Sequence, residues 1–182
     1  MFAGDPQAEA VVRFWRDAGP KMWFAKDAAF DDEFRRRFLD LHFSVSRCEK
    51  DSWGENPYAS LALVLLLDQF PRNAFRGSAH MFATDALALC YARKMIASGA
   101  VMQVDQPLRL FACVPFIHSE NLDDQRHALD LYKTHAPDAY PWAEEHCDII
   151  RRFGRFPHRN AMLGRNTTSE EQAFLDAGGF AG

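Results

Sequence analysis

Between Asn56 and Phe70 the chain reads NPYASLALVLLLDQF, and Leu61 to Leu67 are seven apolar residues in a row. Asparagine followed by proline is a strong helix opening. The asparagine side chain accepts from exposed first-turn amides, and proline in the first turn gives up no internal bond. A helix from this point is apolar on nearly every side, so it has to be central and covered by other elements. Seven residues fall far short of the roughly 20 needed to span a bilayer.

The covering elements are also written as helices. Asp5-Pro6 opens one that puts Ala8, Val11, Val12, Trp15 and Ala18 on a single face. From Asp27 to Cys48, Phe30, Phe34, Phe38, Leu41 and Val45 form one apolar stripe, with Asp31, Asp32, Glu33, Arg35, Arg36 and Asp40 filling the remaining positions. Thr84 or Asp85 starts a helix over 86–97 that Gly99 closes, and 122–136 and 138–153 give two more. Trp142, Ile149, Ile150 and Phe153 form the apolar set of the second of these. Thr168 with Glu171, or Ser169 with Gln172, offers a capping box for a short last helix ended by Gly178-Gly179. Pro71 is expected to stop the central helix, and Pro115 to kink or end the apolar segment after Asp105.

No segment alternates in the manner of a strand, and no Asn-Gly or Asp-Gly turn joins β-branched runs. The expected fold class is all-α, with seven to nine helices packed as antiparallel hairpins in one domain over 1–182. Sixteen Phe and four Trp supply a large core. Size scaling puts the folded surface at roughly 9,000 Å², against roughly 30,000 Å² for the extended chain.

Net charge of −4 and pI near 6.0 exclude a general attraction to nucleic acid or anionic lipid. Arg151, Arg152, Arg155, His158, Arg159 and Arg165 make one basic stretch, but Glu144, Glu145, Asp148, Glu170 and Glu171 flank it. No nucleic-acid partner is expected. Cys48, Cys90, Cys113 and Cys147 form no CxxC pair and read as buried, reduced thiols. The start, MFAGDPQAEA, lacks a basic region and a long apolar stretch, so a cytoplasmic protein without a leader or membrane anchor is expected. No cofactor is called for. No metal is expected either, since HExxH is absent and Asp123 with His127 is a two-ligand fragment. His42 reads as lying beside the core, and His80, His127, His135 and His146 as lacking converging partners.

The chemistry is concentrated in an echo. LLLDQFPRNAFRG at 65–77 returns as RFGRFPHRNAMLGR at 152–165, each writing Phe-Pro and then Arg-Asn before a glycine. Phe70 and Phe156 are expected to anchor the two turns in the core, with Pro71 and Pro157 stopping the preceding helices. Arg72, Asn73, Arg76, Arg155, Arg159, Asn160 and Arg165 would then project toward one shared pocket for a small anionic molecule or an acidic peptide end. Arginine supplies a planar fork of donors that matches a carboxylate or phosphate, and asparagine tolerates turn geometry. The plainer reading is that these groups cap helix ends and pair with internal acids. Asp68, one step beyond the apolar run, reads as a buried carboxylate: a base, or the partner of an arginine. His118 and Glu120 stand two apart after Pro115 and can meet a ligand only from a loop. The alternative to a binding protein is therefore a hydrolase or lyase in which Asp68 or Glu120 takes a proton, His118 or His158 relays it, and arginines hold substrate charge.

Three longer stretches, LLLDQFPRNAFRGSAHMFATDALAL, PFIHSENLDDQ and FGRFPHRNAMLGRNTTSEEQAFL, together with the opening VVRFWRDAGPKMWF, resemble a bacterial family of uncharacterised proteins, domain-of-unknown-function family nine hundred and twenty-four. The likeness runs in order along almost the whole chain. It implies a helical fold similar to tetratricopeptide-like proteins, as a compact bundle or short solenoid, although no repeated consensus of about 34 residues is present. It implies no activity.

Overall fold

A computed structural model of the chain describes residues 4–182. Residues 1–3, the first part of the opening segment, lie outside it. Every regular element among the described residues is helical, with α1 Pro6–Ala18, α2 Pro20–Trp23, α3 Ala28–Ser46, α4 Pro57–Val64, α5 Phe70–Ala74, α6 Asp85–Ala97, α7 Leu110–His118, α8 Leu122–His135, α9 Tyr140–Phe153 and α10 Ser169–Asp176. Counting 57–74 as one continuous helix gives nine, within the seven to nine expected. The surface of 8965 Å² also meets the size expectation.

The N-terminal caps are those written in the sequence. Asp5 accepts from the Gln7 amide, Asp27 from Phe30, and Asn56 from both Tyr58 and Ala59. Thr168 with Glu171 closes both arms of the capping box of α10. Each satisfies amides that have no partner inside the helix, typically stabilising it by ~1 kcal/mol.

The run from Leu61 to Leu67 is fully buried, as a helix apolar on all sides requires. α1, α6 and α7 pack around α4, and α7, α8 and α9 then follow in succession, each on its predecessor. Of the aromatic stripe on α3, Phe34 and Phe38 are buried and Phe30 is partly buried, with Phe14 from α1 stacked on Phe30 and Phe34 at 5.2 and 5.0 Å. Trp142 departs from its expected place: it is 43% exposed and meets Phe24 edge-on. Of the four cysteines only Cys113 and Cys147 are buried. Cys48 and Cys90 are exposed, and Cys48 lies past the end of α3 in a left-handed turn with φ 61°.

The prolines behave differently from the expectation. Pro71 does not stop the central helix. Over Leu65–Gln69 the helix widens into a π turn, in which the Phe70 amide bonds back to the Leu65 carbonyl, and it then continues as α5 through Pro71 to Ala74. Widening removes the demand for an amide at position 71 and releases carbonyls, and each finds a side chain. His42 Nδ1 bonds the Leu66 carbonyl at 2.8 Å, Thr84 Oγ1 donates to Leu67 at 2.5 Å, and Arg72 Nη1 donates to Asp68 at 2.7 Å. His42 is thus inside the core, not beside it. Pro115 likewise sits within α7, where burial of Leu110–Ile117 on all sides offsets the lost bond. The second turn follows a different plan. α9 ends at Gly154, φ 69°, before Pro157 is reached.

Candidate functional site

A cavity of about 520 Å³ opens beside the π turn, within the size range of small-molecule sites. Trp23, Phe24, Met81, Phe82, Val114, Ile117, Met162 and Phe180 make it largely apolar. Its polar wall comes from both Phe-Pro turns together: Arg72, Asn73 and Arg76 from the first, and His158 and Arg159 from the second. Gln69, His118, Tyr132 and His146 add to that wall, as do two charged side chains, Lys26 and Glu145.

Asp68 lies immediately behind it, 0% exposed. One carboxylate oxygen is bonded to His118 Nδ1 at 2.8 Å and lies 3.4 Å from Arg72 Nη1; the other accepts from Gln69 Nε2 at 2.6 Å. Burial opposes the charge, but Arg72 and His118 outweigh it and hold the carboxyl well below the usual range. Arg72 also forms a two-pronged pair with Asp85 at 2.9 and 3.0 Å, from the first turn of α6. Burial works against the guanidinium charge, yet Asp68 and Asp85 together raise its pKa.

Arg159 is less well served. It is buried, with its guanidinium between the Phe82 and Phe156 rings at 4.7 and 4.5 Å. Its ion-pair contact is 3.4 Å to the Asp85 oxygen already bonded to Arg72, and its Nε has no partner. Burial lowers its pKa to about 10, so it remains a cation at neutral pH. Among the described residues, eight buried polar side-chain atoms lack a hydrogen-bond partner, and three belong to residues lining this cavity: Arg159 Nε, Tyr132 Oη and His158 Nδ1. Such atoms are scarce in folded proteins.

The histidines on this wall are neutral. Burial pushes His158 down to about 3 and His146 down to about 4, with Arg159 adding to the first shift and His118 to the second. Burial and then Arg72 also lower His118, against the opposing pull of Asp68. His146, expected to stand alone, lies 6.5 Å from His118, centroid to centroid, and bonds the Trp142 carbonyl through Nδ1.

Other expected site residues are committed to partners in the fold. Asn73 and Arg76 line it but are tied to Asp31 of α3, at 2.8 Å for the amide and 2.8 and 3.0 Å for the guanidinium. Arg155, Asn160 and Arg165 do not line it. Arg155 clasps Glu171 at 2.6 and 2.8 Å, Asn160 donates to Glu171 and Thr167, and Arg165 pairs with Glu120 at 2.9 Å. Glu120 also accepts from the Phe156 amide, so the second Phe-Pro turn is pinned from behind. Burial would raise the Glu120 pKa, but Arg165 and that amide lower it below the ordinary value; the Arg155 bonds take Glu171 down to about 2. Among the described residues no group of three or more His, Cys, Asp or Glu is placed to hold a metal ion, and no helix is long and apolar enough to cross a membrane.

The profile of a bacterial protein family of unknown function, DUF924, matches residues 11–179. The chain belongs to the DUF924 family. A solved structure of a protein of unknown function, ATU0120, from Agrobacterium tumefaciens, is 51% identical, with a TM-score of 0.91 over 93% of this chain and 97% of that one. No curated protein matches. Both Phe-Pro turns of this DUF924 chain fall within the matched span. Asp85, Tyr132 and His146 were not among the expected site residues. Asp85 reads as a helix start, and Tyr132 sits on an apolar helix face with Ala128 and Leu131, where nothing separates a cavity wall from ordinary core.

Proposed function

We propose that this DUF924 protein binds a small amphipathic molecule with an anionic oxygen-bearing head. The head sits against Arg159 and Arg72, and the apolar body against Phe24, Val114, Ile117 and Phe82. The observation that carries the reading is Arg159, a buried cation whose nearest carboxylate oxygen is 3.4 Å away and shared, with Nε unpartnered. A carboxylate on the ligand supplies the Arg159 guanidinium with an acceptor of its own from the cavity side. The neutral histidines add no competing charge. The apolar share of the wall favours a compact organic acid over an acidic peptide end, which would bring additional polar backbone into the cavity.

Native mass spectrometry of freshly purified protein, followed by calorimetric titration with monocarboxylates of increasing chain length, tests this. Arg159→Gln should weaken binding by about 10- to 100-fold, the range expected for one hydrogen bond to a charged group. Arg165→Gln, which alters a residue outside the cavity, should leave affinity within about 2-fold. Equal affinity in wild type and a folded Arg159→Gln variant removes Arg159 from the site.

A further inference from the structure

We propose that the same cavity hydrolyses small carboxylic esters, with His118 as the general base and Asp68 as the residue that positions it. This rests on the binding reading above, because the acid released is the anion that the arginines hold.

The geometry carries it. Asp68 is fixed from several directions: by its backbone in the π turn, by Gln69 at 2.6 Å and by Arg72 at 3.4 Å. The carboxylate is an acceptor only, so its 2.8 Å contact to His118 Nδ1 places the ring proton on Nδ1 and leaves a lone pair on Nε2. His118 lines the cavity, and Nε2 is neither hydrogen-bonded among the described residues nor closed off among the buried unpartnered atoms. A neutral imidazole, oriented by a buried carboxylate and open at Nε2, is the arrangement general-base catalysis requires. No serine, threonine or cysteine lines the cavity, so the nucleophile is water.

The guanidinium of Arg72 and the imidazole of His118 flank the same Asp68 oxygen. Arg72 uses three of its five N–H groups on Asp68 and Asp85, which leaves Nε–H and one Nη2–H as donors for a carbonyl oxygen. The step then balances. His118 Nε2 takes a proton from water as the water oxygen bonds to the acyl carbon, and the carbonyl electron pair moves onto oxygen against the guanidinium. Collapse breaks the bond to the alcohol oxygen, which leaves with the proton from His118. One water is consumed, one carboxylic acid and one alcohol are formed, and nothing is oxidised or reduced.

The test uses the full chain with para-nitrophenyl acetate, butyrate and hexanoate, read as nitrophenolate release, and with butyrate binding measured in parallel. Expected are saturable turnover and a rate that climbs with pH and levels once His118 is neutral, with a midpoint below the ordinary histidine value. His118→Gln should lower kcat by at least about 100-fold while butyrate affinity changes by less than about 3-fold. Added imidazole should recover part of the rate of a His118→Gly variant, and in water enriched in oxygen-18 the label should enter the butyrate. Asp68→Asn, if it folds, should lower kcat with a smaller change in KM. Butyrate binding without saturable turnover of any of the three esters overturns hydrolysis and leaves the binding reading standing. A folded His118→Gln variant with wild-type kcat overturns it too. Absence of both binding and turnover overturns both readings.

Discussion

The two Phe-Pro turns share a vocabulary and differ in nearly everything structural. In the first, proline lies inside a helix that widens to admit it, and Arg72, Asn73 and Arg76 all line the cavity. In the second, a glycine ends the helix before the proline, and the polar residues divide: His158 and Arg159 face the cavity, while Arg155, Asn160 and Arg165 face Glu171 and Glu120. The difference lies in the acceptors each turn meets. Freed carbonyls and Asp31, Asp68 and Asp85 surround the first turn, whereas the second is held between the cavity and α10. Identical dipeptides thus serve wholly as cavity wall in one place and divide between wall and brace in the other.

Asp85 is where the two turns meet, since it pairs with Arg72 of the first and Arg159 of the second. Asp85→Asn leaves two buried guanidinium groups short of a counter-charge, and breaking a buried pair from one side costs about 3–5 kcal/mol. Glu120→Gln cuts the brace behind the second turn, where both Arg165 and Glu120 are about a quarter exposed (27% and 25%), and should cost about 1 kcal/mol. Urea unfolding of the two variants measures the contrast. Equal losses would mean that the division between cavity wall and brace has no energetic content.

Much of this was legible in the chain. Each Asx-Pro or Asx cap opened the helix it announced, because a cap is a local matter between one side chain and amides two or three residues on. The burial of 61–67 followed from a helix with no polar face. Pro71 was misread because the rule that proline ends a helix assumes that the released carbonyls stay unsatisfied. Here they are met by His42, Thr84 and Arg72, two of which come from other helices or their caps and are invisible in a local window. The same limit applies to the site. Arg72 and Arg159 could be nominated from the echo, but their common partner Asp85 and the neighbouring Tyr132 enter only through packing.

His158 is the residue the second turn has and the first lacks, and it should make the second turn acid-sensitive. Its surroundings, Arg159, His146, His118 and Arg72, all disfavour a proton, and burial adds the largest share. With a folded pKa of about 3 against an ordinary 6.5, the unfolded chain takes up a proton below pH 6.5 that the folded chain refuses. The contribution of His158 is therefore whole above that pH and is lost as pH falls, at about 1.4 kcal/mol per unit. His146 behaves the same way down to about 4, and carboxylates add little until the pH is lower. Between about pH 6.5 and pH 5, His158→Gln should recover close to 2 kcal/mol of the wild-type decline. A pH dependence that matches the wild type would show that His158 is protonated in the folded protein.

The smallest effect separates the ways the two helices end. If Gly154 and not Pro157 terminates α9, the cost of replacing it is purely a backbone cost. Gly154 stands at φ 69°, its amide bonds the Ile150 carbonyl at 2.8 Å, and an added Cβ would meet no atom within 4 Å. Gly154→Ala should then cost about 1 kcal/mol, the usual price of a left-handed alanine. Gly154→Asn should cost less, since asparagine tolerates that region. Thermal unfolding of the two variants gives the order. If alanine and asparagine are equally neutral, the backbone has moved to another stop, and Pro157 becomes the residue that ends the helix, as the sequence first implied.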